Sequence, residues 1–225
     1  MTEVTYPSYR ALDELLGLQR LRSEPEHPAE LLFIVVHQSS ELWFKVIIQQ
    51  LEAVLTDLET GDGDRALWRV QRINGLMRIV ADQLSALDTL PPQRFLQFRG
   101  VLGASSGQQS LQFRLIGALS GMRDDAFVSA LKVTGEIPSA VAARSRRCTR
   151  TRGPTRCSFL PRRCSITTRR FQRWRFLHVQ LVERIIGPVT GGTGGSMGAR
   201  HLAQSVNLRF FPQLWAVRAQ LFGGS

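Results

Sequence analysis

Residues 29–60, AELLFIVVHQSSELWFKVIIQQLEAVLTDLET, decide how this chain folds. Apolar side chains recur there at spacings of three and four, at Phe33, Val36, Phe44, Ile47, Leu51, Leu55 and Leu58. At about 3.6 residues per turn these positions share one face, so the stretch predicts a long amphipathic helix. Pro28 suits its start, where a missing N–H costs nothing, and Gly61-Asp62-Gly63-Asp64 ends it.

The same period continues outward. Leu67, Val70, Ile73, Met77, Val80, Leu84 and Leu87 predict a second helix, stopped by Pro91-Pro92. A short helix over 92–99 leads into a loop at 103–107, and 108–119 and 124–132 read as further helices. Residues 171–186 form a long amphipathic pattern ended by Gly187-Pro188. A glycine-rich loop, GGTGGSMG at 191–198, precedes two C-terminal helices. No run alternates with a period of two and no segment repeats. The expected fold is therefore all-α, a helical bundle forming one domain over 1–225.

No unbroken apolar run approaches the roughly 18 residues of a membrane span. The N-terminal MTEVTYPSYR lacks the apolar core of a secretory signal. A cytoplasmic protein with no membrane partner is expected. The net charge of +11 suggests nucleic acid, but its distribution argues against that partner. Residues 141–170 hold ten arginines and no acidic residue, leaving 19 basic against 18 acidic residues elsewhere. This stretch has no helical apolar stripe and a single aromatic, Phe159, to stack on a base. It reads as an atypical insert, either a solvated loop or a frameshifted stretch. Its cysteines, Cys148, Cys157 and Cys164, lack the close pairing of zinc sites.

Two of the four histidines sit in apolar helical patterns. His37 shares a face with Phe33 and Phe44, and His178 shares one with Trp174, Leu181, Val182 and Ile185. Each is either a core residue satisfied by one hydrogen bond or, as a pair, an axial iron ligand and a facing hydrogen-bonding group. Arg99, beside Phe95 and Phe98, is either a structural ion-pair partner or a carboxylate clamp. The glycine loop follows a helix rather than a strand, which disfavours a nucleotide site and leaves a substrate lid using Thr193 and Ser196.

LLFIVVHQSSELWFK (31–45), FLQFRGVLGASSGQQSLQFRLI (95–116), FQRWRFLHVQLVERIIG (171–187), GTGGS (192–196) and LRFFPQLWAVR (208–218) resemble, in this order, signature segments of the tryptophan 2,3-dioxygenase family. The resemblance covers about residues 5–119 and 171–221. It implies a helical bundle enclosing b-type haem, usually a homotetramer, that inserts dioxygen into the indole ring of L-tryptophan to give N-formylkynurenine. By position, His178 resembles the proximal haem ligand and His37 the distal histidine facing the indole N–H. Phe33 resembles the aromatic packed on the indole, Arg99 the carboxylate-binding group, and Thr193 its helper in the glycine loop. Ser106 matches a serine near haem and substrate, and Tyr6 and Tyr9 match tyrosines that reach a neighbouring subunit's pocket, implying a homotetramer or homodimer. Gly117 stands where the family usually has an acidic residue, Gln108 where an apolar or aromatic one is usual, and Leu177 where arginine precedes the haem histidine. The span from Gln112 to His178 is also short. These departures leave open a haem monooxygenase of a substituted indole or tryptophan derivative, and a product that is non-functional or merely a basic binding module.

Overall fold

A computed structural model describes residues 4–122, 160–188, 190–192, 198–212 and 215. Two one-turn helices, α1 (Tyr6–Arg10) and α2 (Leu12–Leu16), precede the long helix α3 (Pro28–Glu59). The α3 start is set by His27, whose Nδ1 accepts the Ala29 N–H at 3.2 Å. That fixes the ring proton on Nε2, which donates to Gln97 Oε1 at 2.8 Å. Helix α4 (Gly63–Asp82) is capped by the Asp62 carboxylate on the Arg65 N–H. A one-turn α5 (Ser85–Asp88) and the short α6 (Pro92–Arg99) follow, then α7 (Leu111–Leu119), capped by Ser110. Helix α8 (Leu160–Ile186) and α9 (Ala199–Ser205) complete the described set. Among the described residues there is no strand, and the fold is all-α.

α3 packs on α4 and α7, and α8 also packs along α4. Their stripes meet in one core of Phe44, Ile47, Val70, Ile73, Met77, Ile116 and Phe171. Cutting such a side chain back to alanine costs about 2–5 kcal/mol in a well-packed core. A second core gathers Val36, Leu84, Leu87, Leu90, Phe95, Phe98, Leu181 and Ile185. His37 lies between Val36 of the second core and Phe44 of the first. His178 lies between Phe171 of the first and Leu181 of the second. Both histidines therefore stand at the junction of the two cores.

Three features differ from the sequence reading. The helix expected through Leu87 breaks after Asp82, because the Gln83 amide is tied sideways to α3. Its Nε2 donates to Ser40 Oγ at 2.6 Å, while Ser39 Oγ donates to its Oε1 at 3.2 Å. Helix α8 begins at Leu160, inside the arginine-rich stretch, rather than near Phe171. There Cys164, Ser165, Thr167 and Thr168 face inward, and the Thr167 and Thr168 hydroxyls bond the carbonyls of Arg163 and Cys164 one turn earlier. A small-residue stripe of this kind escapes a search for large apolar side chains. Thirdly, α3 is long and apolar enough by mean hydropathy to cross a membrane, although its apolar runs are interrupted. It packs as a core helix and buries Glu30, Gln50 and Asp57 as well. The helix expected over 124–132, Cys148, Cys157 and most of 141–170 lie outside the described residues.

Candidate active site

His37 follows Phe33 by one turn of α3. Its Nδ1–H donates to the Phe33 carbonyl oxygen at 2.7 Å. A carbonyl only accepts, so the proton sits on Nδ1 and the neutral ring offers a free lone pair at Nε2. The Phe33 ring lies 4.2 Å from the His37 ring and packs on Phe95 and Phe98 at 5.7 and 5.8 Å. The His37 ring keeps accessible surface. Burial nevertheless pushes its pKa below the usual histidine value, against opposing effects of the Phe33 bond and the Glu41 charge.

His178, on α8, lies within electrostatic reach of His37. Burial, with a smaller contribution from the charge of His37, pushes its pKa down to about 4. It is therefore neutral at pH 7. Trp174, one turn earlier, stacks on the ring at 5.3 Å and 17°. Trp174 is wedged in turn against Phe44 and Phe113 at 6.0 and 5.0 Å. Among the described residues His178 makes no hydrogen bond, so stacking alone holds the plane of a half-buried, unprotonated imidazole.

Arg99 ends α6, where the helix dipole favours a cation. Its Nη2 donates to the Gly191 carbonyl at 2.6 Å, joining α6 to the glycine-rich loop 92 residues away. Among the described residues it has no carboxylate partner, which removes the ion-pair alternative there. Gly198 packs closely on Thr190: its φ is +59°, and a Cβ there would clash with the Thr190 carbonyl oxygen. Only glycine fits.

The other expected site residues are placed less directly. Ser106 is half-buried, with its backbone N–H on Gln109 Oε1 at 3.2 Å. Tyr6 and Tyr9 are 65% and 76% exposed on α1, with Arg10 over the Tyr6 ring at 3.9 Å, so neither enters this chain's own pocket. Thr193 and Ser196 lie outside the described residues. Sequence reading placed Trp174 on the histidine face without a role, although the four-residue spacing to His178 already put the rings in register. It had no signal for the Gly191 carbonyl. Among the described residues no cluster of three or more His, Cys, Asp or Glu side chains forms a bare-metal site.

These features define an all-α protein whose two longest described helices bring two neutral imidazoles near each other among aromatic rings, with an arginine hydrogen-bonded to the glycine-rich segment. The family model described as tryptophan 2,3-dioxygenase matches residues 1–133 and 165–221. The tryptophan 2,3-dioxygenase of Anaeromyxobacter dehalogenans is 39% identical over 258 residues, spanning 97% of this chain and 96% of the relative. Those of Herpetosiphon aurantiacus and Myxococcus xanthus are 37% and 34% identical, spanning 97% and 96% of this chain and 98% and 89% of the relatives. The chain belongs to the tryptophan 2,3-dioxygenase family, a family of oxidoreductases. The 258 aligned positions exceed its 225 residues, so the relatives carry sequence that it lacks. The family match leaves 134–164 uncovered but resumes at 165, within the buried stripe of α8.

Proposed function

We propose that this chain is a haem-dependent dioxygenase that opens the indole ring of L-tryptophan to N-formylkynurenine. The observation that carries the reading is the His178 imidazole, stacked on Trp174 and, among the described residues, without a hydrogen bond. A haem iron takes a neutral imidazole with a free lone pair in an apolar slot, and the residues present fit that group. His178 would be its protein ligand, and Trp174 stacking would fix the plane of the ring. Haem b supplies the activation of dioxygen when bound.

The remaining chemistry belongs to the chain's own residues. With its proton fixed on Nδ1, His37 offers Nε2 to the indole N–H as an acceptor. Phe33, braced by Phe95 and Phe98, packs against the indole. Arg99 binds the substrate carboxylate through its uncommitted N–H groups, with Thr193 on the same loop holding the carboxylate and ammonium, and Ser106 closing the pocket near the haem. Holding both ends of the amino acid turns an encounter into an oriented reaction, and excluding water limits side reactions. Tyr6 and Tyr9, exposed on their own chain, complete the pocket of a partner subunit in a homotetramer or homodimer. The protein acts in the cytoplasm.

Purified protein supplied with haem is expected to show a Soret band that shifts on adding L-tryptophan. With labelled dioxygen, the ring-opened product retains both labelled atoms. A product with one labelled atom overturns dioxygenation in favour of a monooxygenase, and no Soret band overturns the haem reading.

A further inference from the structure

Among the described residues, no anion answers the charge that Arg175 carries into the interior. Its side chain is 5% exposed, and among the described residues it makes no ion pair. Nη1 reaches the Leu208 carbonyl at 3.5 Å and Nη2 the Met122 thioether at 3.7 Å, while the buried Nε has no acceptor. The rings of Phe113 and Phe210 flank the guanidinium at 5.5 and 5.2 Å. Burial pushes its pKa down to about 10, which leaves it cationic at neutral pH. A thioether and a distant carbonyl are poor acceptors, so ring faces carry most of the stabilisation. A buried charge left in that state is costly.

A second polar group is orphaned against the same walls. Ser120 is fully buried and its Oγ has no hydrogen-bond partner among the described residues. Its carbonyl accepts the Phe211 N–H at 2.7 Å, so it is pinned to the 208–211 segment that also encloses Arg175. Gly117, one turn earlier and buried on α7, carries no side chain. A Cβ there would be in ordinary contact with Met122, at 3.6 Å from Sδ and 4.0 Å from Cβ. That sulfur is the one Arg175 reaches, and a methionine side chain swings aside easily.

We propose that Arg175 and Ser120, with room made beside Gly117 when Met122 swings aside, form an internal binding site for a small monovalent anion, a halide or a carboxylate the size of formate. One negative charge balances the guanidinium, the serine hydroxyl supplies a further donor, and the aromatic walls limit the size. The site is independent of the haem reading. Phe113, which packs on Trp174, joins it to the surroundings of His178.

The test is thermal unfolding of the full chain in sodium gluconate, whose anion is too large to enter, replaced stepwise by sodium chloride or sodium formate at constant ionic strength. A ligand that binds only the folded state raises the folding constant about elevenfold at ten times its Kd, and the effect saturates. The melting temperature is expected to rise saturably with at least one of the two ions. Arg175→Met removes the charge and should abolish the rise. Gly117→Glu places a carboxylate within reach of Arg175, so this variant should melt higher in gluconate and ignore chloride. Gly117→Ala gains helix propensity alone and should keep the wild-type response. No saturable rise with either ion, or an equal rise in the wild type, Arg175→Met and Gly117→Glu, overturns the site. If Arg175→Met does not fold, the contrast between Gly117→Glu and Gly117→Ala decides.

Discussion

If His37 acts as a hydrogen-bond acceptor rather than a base, His37→Ala should have a small and chemically specific effect. The Nδ1 proton is committed to the Phe33 carbonyl, so the ring offers the substrate one neutral lone pair at Nε2. A neutral hydrogen bond contributes about 0.5–1.5 kcal/mol net, which converts to roughly 2- to 13-fold in kcat/KM. The variant keeps His178, and its Soret band should be unchanged. The assay compares kcat/KM for L-tryptophan and for its N1-methyl analogue, which has no N–H to donate. Wild type should prefer L-tryptophan, and in His37→Ala that preference should shrink by the same factor that L-tryptophan loses. A loss beyond about 100-fold in the variant would refute the acceptor role, because proton transfer by a general base contributes roughly 10²–10⁴-fold. An unchanged preference between the two substrates would refute contact with the indole N–H.

Three further outcomes are expected. His178→Ala should bind no haem in stoichiometric amounts, read as loss of the Soret band; a normal spectrum would remove it as the ligand. Arg99→Met should raise KM for L-tryptophan by about 10- to 150-fold, the range for a charge-assisted hydrogen bond, and leave a substrate without a carboxylate nearly unaffected. Equal effects on both substrates would leave Arg99 holding only the Gly191 loop. Glu30, 2% exposed, accepts hydrogen bonds from the backbone N–H groups of Arg22 and Ser23 at 2.9 and 3.0 Å and from the Ser23 hydroxyl. Burial alone would raise its pKa, but these bonds and the nearby His27 bring it below the ordinary carboxylate value. The stabilisation is therefore full above the ordinary carboxylate range and is lost as pH falls through the lowered pKa. Glu30→Gln should cost about 1.5–3 kcal/mol at neutral pH, and its melting deficit should vanish in acid; a deficit independent of pH would refute the role of the charge.

Periodicity made most of the bundle legible. The seven apolar positions quoted from 29–60 lie on α3, and Phe44, Ile47 and Leu51 among them are in the core. It faltered where structure does not come from large apolar stripes. The one-turn helices α1 and α2 bury nothing, so no pattern marks them. The first turns of α8 bury a cysteine, a serine and threonines, whose hydroxyls are satisfied by carbonyls of their own helix. The break after Asp82 comes from a glutamine bonded to serines more than forty residues away.

By itself the sequence determined the helical class, the two apolar-faced histidines and the family resemblance, because each is carried by local spacing and residue identity. It could not determine that His37 and His178, 141 positions apart, lie within electrostatic reach of each other, because that depends on how α3 and α8 sit against the two cores. Nor could it show that Arg99 closes on Gly191, since a hydrogen bond across 92 residues leaves no trace in either segment. Arg175 makes the same point most sharply. In sequence it is one more arginine in a basic stretch, but packing seals it between two rings beside a glycine, and only desolvation turns an ordinary surface charge into a site that needs an anion.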